Sequence, residues 1–319
     1  MAKSDFDNEY LSRRFGVEIE YNAFDGLDRS VGENNLPKGV YFFANQIKES
    51  LKCTVDVCKW HYTNDNKNWV IKPDSSCGLE VCSPVLQGSA GISSLAKAIE
   101  SLAESTKISA DERCSLHVHV EIADYTPADI VKLFQAWTCH ELFFYFLNYS
   151  KRWLNCYCQP LGFSFPVSVV RNASYVDVLD ILGSYKYYAI NLFHYRKGKR
   201  KTVEFRIVGN QACLDSLETQ MWCRLFLIFV QRLKNNIQAD AACASTEYLD
   251  FIQTLRFLDL KYCSDSNEII MWLIEKFSRF TSSEIRIDKR LCQRYIWDEI
   301  ITNSQENFVQ ATEYLEGLL

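Results

Sequence analysis

Four features are missing from this sequence: a C-x-x-C pair, an apolar run long enough to cross a bilayer, an excess of basic charge, and a G-x-x-x-x-G-K-[ST] loop. Without C-x-x-C spacing, the thirteen cysteines, an odd count, read as neither a zinc knuckle nor a disulfide framework. Reduced thiols in a cytosolic protein fit them. The longest apolar stretches, at 141–147 and 225–230, are too short for a transmembrane helix, and residues 1–14 hold no apolar segment of signal-peptide type. A soluble, cytoplasmic protein is expected. The net charge of -5 argues against a general nucleic-acid-binding surface, and the missing P-loop excludes an ordinary P-loop kinase. There is no internal repeat or low-complexity tract.

What is present is a globular composition: 319 residues, 48% hydrophobic and 24% charged, enough for one large domain or two ordinary ones. The most informative stretch is RRFGVEIEY, residues 13–21. In a strand successive side chains alternate, so Val17, Ile19 and Tyr21 share one face while Glu18 and Glu20 share the other, roughly 7 Å apart at the backbone. Carboxylates so placed face either water or a cation that removes the cost of burying them.

The same alternation recurs in three more strands. Residues 69–86, WVIKPDSSCGLEVCSPVL, read as a hairpin broken at 73–78. On its second strand Leu79 and Val81 oppose Glu80 and Cys82. Lys72, Asp74, Ser75 and Ser76 at the break are equally what an ordinary turn uses. In CSLHVHVEI, residues 114–122, Leu116, Val118, Val120 and Ile122 face one way and His117, His119 and Glu121 the other; His-x-His on such a strand suits a metal or phosphate, or two structural histidines. In HYRKGKRKTVEFRIVG, residues 194–209, a basic loop precedes a strand whose Val203, Phe205 and Ile207 oppose Glu204 and Arg206. The loop, 196–201, is either a solvated turn or a receiver of phosphate oxygens.

Between these strands, residues 22–38 predict a long loop over the sheet face, and 53–60 a further strand. Apolar spacing predicts helices at 40–51, 92–103, 127–149 (with Pro127 at its start) and 214–233. Residues 151–191, interrupted by Pro160, Gly162, Pro166 and Gly183, show a clear period only near 175–182. From 247 onward the pattern is helical, at 248–258, 268–277, 291–301 and 307–318, without ligand-type clusters.

GVEIEY, WVIKPDSS followed by LEVCSP, LHVHV, and VEFR ahead of a Trp-containing helix, in that order over residues 13–235, resemble the amidoligases, carboxylate–amine ligases related to glutamine synthetase and glutamate–cysteine ligase. The resemblance implies an α+β fold: a glutamine synthetase-like curved antiparallel β-sheet with flanking helices over 13–235, plus a helical extension over 236–319. It implies ATP as co-substrate and two or more Mg2+ ions held by Glu18, Glu20, Glu80, His117 and Glu204. By position, His119 and Arg196 would lie towards the nucleotide and Asp74 and Ser76 towards substrate. Arg206 would meet the transferred phosphoryl group, acting with Glu204 and Glu18. The implied partners are small-molecule or peptide carboxylates and amines, with no membrane and no general nucleic acid; a homo-oligomer is compatible. No counterpart of glutamine synthetase's adenylylation or ammonia-binding features is found, so glutamine synthesis is not the expected reaction.

The residues suit that chemistry. Amide formation from a carboxylate needs activation by phosphorylation, which hard cations on carboxylates and an arginine on phosphoryl oxygens promote. Three other readings compete. One is an ATP-independent metal-dependent hydrolase using the His/Glu cluster. Another is a cysteine enzyme using Cys77, Cys82 or Cys114, and the third a non-enzymatic binding module whose acids are solvated.

Overall fold

In the computed structural model the structure describes residues 9–22, 38–58, 67–74, 76–105, 108–148, 152, 155–165, 167–235, 251–278 and 304–319. Residues 23–37 of the loop expected at 22–38, residues 59–60 of the strand expected at 53–60, Ser75 and the expected helix at 291–301 lie outside the described residues. Among the described residues eight strands form one sheet: β1 (Arg14–Tyr21), β2 (Val55–Val57), β3 (Trp69–Asp74), β4 (Gly78–Cys82), β5 (Leu86–Gln87), β6 (Leu116–Glu121), β7 (Ile190–Asn191) and β8 (Thr202–Val208). Their spatial order is β2-β3-β4-β1-β6-β8-β7, with β5 pairing the start of β1. The longer helices are α1 (Lys38–Leu51), α2 (Gly88–Ala103), α3 (Pro127–Phe146), α4 (Tyr175–Ser184), α5 (Ser216–Asn235), α6 (Phe251–Leu258), α7 (Ser266–Ser278) and α8 (Ser304–Glu316). The fold is α+β, a mostly open sheet flanked by helices.

The four expected strands form and pair antiparallel, but the sheet is not wholly antiparallel. At its edge β2 runs parallel to β3, Val55 opposite Trp69. Alternation reports which face a side chain takes and is silent on strand direction.

One face of the sheet is the core. Val17, Ile19, Val81, Val118 and Phe205 are buried on it, covered by α3 and α5: the Phe205 ring stacks on Phe226 at 4.2 Å and lies 5.3 Å from Trp137. α3 starts where its residues dictate. Pro127 sits in the first turn, where its missing N–H costs nothing, and Thr126 and Asp129 form a reciprocal capping box. Ser174 and Asp177 do the same for α4.

The C-terminal helices share this core. Phe251 lies 5.8 Å from Phe143, Phe308 lies 5.7 Å from Phe146, and the buried Glu218 of α5 accepts from Trp222, Trp272 and Lys276. No helix among the described residues is long and apolar enough to cross a membrane.

Candidate active site

On the other face, strand register sets the ligand-type residues in rows. Lys72, Glu80 and Glu20 are cross-strand neighbours on β3, β4 and β1; Cys82, Glu18 and His117 form the next row; Gly16, His119 and Glu204 the third. Between Leu116 and Val118 the β6–β8 register slips by one residue. That bulge sets Arg206 and Ile207 together against His117 and returns Val208 to the apolar face opposite Leu116. Glu20, Glu80, His117, His119, Glu204 and Arg206 are all buried, so the polar face is roofed and not a solvated strand surface.

Three groups of ligand atoms result, each with its atoms within 4.8 Å of one another: Glu18–His117–Glu204, Glu18–Glu80–Cys82, and Glu20–Asp74–Cys77. At the centre of the first, His117 Nδ1 stands 3.7 Å from Glu18 Oε2 and 3.8 Å from Glu204 Oε1. Ser115 Oγ lies 2.5 Å from Glu20 Oε2 and 2.8 Å from His117 Nε2. A hydroxyl has one proton, and an ionised carboxylate only accepts, so Ser115 donates to Glu20 and accepts from His117 Nε2–H. Ser115 thus fixes Nε2 as a donor and leaves Nδ1 facing Glu18 and Glu204, the nitrogen that a metal held between those carboxylates would take.

The charges are closely coupled. Burial pushes the Glu18 carboxyl up, but His119 and His117 beside it outweigh burial and hold it well below the usual carboxylate range. Glu204 is likewise opposed by burial, yet Arg206, with Nη1 2.6 Å from Oε1, and the two histidines bring it down to about 2. Glu80 goes the other way: burial and the Glu18 charge raise it, against Lys72 at 2.7 Å and the Cys82 thiol, which donates at 2.9 Å. Two carboxylates crowded until one resists ionisation are what a divalent cation relieves. His119 is nearly fully buried with neither ring nitrogen hydrogen-bonded; Nε2 stands 3.4 Å from Glu18 Oε1. These residues fit a hard cation: carboxylates predominate, with one prepared imidazole.

Beside Glu18 and His119 opens a cleft of about 200 Å3 whose lining includes Gly16, Ser83, Pro84 and the basic stretch Lys199, Arg200 and Lys201. Arg200 Nη1 is 3.7 Å from Glu18 Oε1.

The structure thus brings Glu18, Glu20, Glu80, His117, His119, Glu204 and Arg206 together. Asp74 joins through Glu20, and its Oδ1 also accepts from the backbone of Ser76 and Cys77 and from the Ser76 hydroxyl, ordinary turn chemistry at the edge of the site. Arg196 is not brought in. Its guanidinium is held by Asp180 at 2.7 Å and Ser184 at 2.8 Å, and Arg200 is the loop cation that reaches Glu18. Sequence reasoning did not single out Ser115, Arg200 or Arg152, nor Lys72 as the partner of Glu80.

An α+β sheet with one apolar face and one face of acids, histidines and arginine defines a protein able to hold cations and anionic oxygens side by side. The family described as "Putative amidoligase enzyme" matches residues 11–230, most of the chain, and the chain belongs to it. No curated protein matches. Among solved structures the chain is similar to a bifunctional glutathione synthetase from Pasteurella multocida, at 10% identity and a TM-score of 0.40, over 99% of this chain and 50% of that one. The chain therefore spans about half the length of that structure.

Proposed function

We propose that this amidoligase joins a carboxylate to an amine at the expense of ATP, through an acyl phosphate, with magnesium, and that its sheet is of the glutamine synthetase-like kind. The observation that carries the proposal is the group Glu18–His117–Glu204 with Arg206 2.6 Å from Glu204 and 3.4 Å from His117 Nδ1. It offers cation ligands and a guanidinium within one patch, as phosphoryl transfer needs. Glu18, Glu20, Glu80, Glu204 and His117 would hold two or more ions, which when bound neutralise phosphate charge. Arg200 and His119, which line the cleft, would receive the nucleotide's phosphates; Arg206 would hold the group in transfer, and Asp74 and Ser76 would contact substrate at the far edge. The carboxylate oxygen attacks the γ-phosphorus and ADP leaves; the amine nitrogen then attacks the acyl carbon and phosphate leaves. We place the enzyme in the cytoplasm.

The thiols support this choice over a cysteine nucleophile. Burial and neighbouring acids raise Cys82, and its contact with Cys114, together with burial, raises Cys77, so neither offers a thiolate.

The test is product analysis. Incubation with ATP, magnesium and a panel of acids and amines is expected to release ADP and phosphate only when acid is present. Release of AMP and pyrophosphate, or amide turnover without nucleotide, contradicts the proposal; the latter would favour the metal-dependent hydrolase.

A further inference from the structure

Among the described residues four arginine and lysine side chains are at least nine-tenths buried: Arg13, Arg152, Arg206 and Lys276. Three have a carboxylate: Arg13 pairs with Asp124, Arg206 with Glu204 and Lys276 with Glu218. Arg152, only 3% exposed, has none among the described residues. Its Nη2 donates to the Arg206 carbonyl at 3.0 Å, and its Nε has no hydrogen-bond partner. A guanidinium cannot shed its proton, so burying it without a counter-ion is a standing cost that an incoming anion would remove.

Its position says which anion. Hydrogen bonds tie the two arginines together: Arg152 donates to the Arg206 backbone carbonyl, Arg206 Nε donates back to Tyr157 O at 3.1 Å, and Asn155 N donates to Arg152 O at 3.0 Å. Arg206 is already neutralised by Glu204, so the uncompensated charge at this end belongs to Arg152. The nucleotide-facing cations, Arg200 and Lys199, line the cleft at His119. At the Arg206 end stand Tyr187, its ring 5.9 Å from the Arg206 guanidinium, and Tyr157, 5.2 Å from Tyr187 and 48% exposed, an aromatic wall open to solvent.

We infer that Arg152 binds a carboxylate of the acid substrate, which enters past Tyr157 at the Arg206 end of β8, away from the nucleotide cleft; the inference rests on the ligase reading above. Arg152 then selects acids, and ATP binding is independent of it.

Acetate and, separately, inorganic phosphate are titrated into the full chain at constant ionic strength, balanced with chloride, while the 15N signal of the Arg152 Nε–H is followed. The Arg152→Lys variant identifies that signal by its loss. A saturable shift with acetate is expected, together with acetate-dependent thermal stabilisation that weakens at least tenfold in Arg152→Gln. In turnover, Arg152→Lys should raise the KM for the acid at least tenfold and leave the KM for ATP within twofold. No acetate response in the unaltered protein, a response to phosphate alone, or an unchanged acid KM with lowered stability in Arg152→Lys each overturn the proposal and make Arg152 a structural residue. Should Arg152→Gln not fold, the signal in the unaltered protein still decides. An acetate response in a protein that shows no ATP-dependent ligation supports the carboxylate site and refutes the ligase reading.

Discussion

Glu18 of β1 and His117 of β6 are cross-strand partners, 3.7 Å apart at Oε2 and Nδ1. Glu18 belongs to two of the three ligand groups, and its charge raises Glu80 one strand away. It is the residue on which the electrostatics of the face converge.

Glu18→Gln should therefore weaken magnesium-dependent ATP binding by at least about tenfold, about 1.4 kcal/mol, while unfolding stays cooperative. Loss of its charge also lets Glu80 ionise more readily beside Lys72. Calorimetry with and without magnesium checks this; equal affinity in the variant and the unaltered protein contradicts the shared cation site.

Arg206→Lys should slow phosphoryl transfer by roughly a hundredfold, in line with the loss of one preorganised donor. An ammonium cannot at once reach Glu204, the Tyr157 carbonyl and a phosphoryl oxygen as the planar guanidinium can. Single-turnover ADP release measures it, and an unchanged rate would remove Arg206 from the chemistry.

Away from the site, Glu141 on α3 is 1% exposed and accepts from the backbone of Leu161 at 2.9 Å and Gly162 at 2.5 Å. Burial pushes its carboxyl up to about 8 from an ordinary value of 4.5. The folded state therefore holds the proton more tightly than the unfolded one. The stability it contributes is full below about pH 4.5 and is lost as pH rises through 8, with a slope of at most about 1.4 kcal/mol per pH unit. The stability of Glu141→Gln relative to the unaltered protein should rise over that window in urea titrations. A pH-independent difference would contradict the assignment.

The C-terminal helices should behave as part of the core. Lys276→Met leaves the buried Glu218 charge without its cation and should cost on the order of 3 kcal/mol in urea unfolding. A cost below about 1 kcal/mol, the range of exposed pairs, would make this contact dispensable.

Strand alternation makes Glu18, Glu20, Glu80, His117, His119, Glu204 and Arg206 legible in the sequence, because a regular period of two sets each of them on the face opposite the apolar residues. It could not report the β6–β8 bulge that sets Arg206 against His117, since Ile207 and Val208 are both apolar and the sequence reads as unbroken alternation whichever of them returns to the core face. Nor could it report the parallel pairing of β2. Ser115 was silent because a serine at the mouth of a strand carries no periodic signal. In the basic loop 196–201 spacing could not distinguish Arg196, tied to Asp180, from Arg200, near Glu18. Arg152 lies in the stretch 151–191, where prolines and glycines break every period.

An acyl phosphate would move one oxygen atom from the acid to phosphate. With the acid that triggers ADP release labelled with heavy oxygen in its carboxylate, one labelled atom must leave in inorganic phosphate, because that oxygen bridges carbon and phosphorus before the amine displaces it. Mass spectrometry of the released phosphate is predicted to show one label per amide formed; label appearing in AMP, or phosphate free of label while amide accumulates, would contradict it.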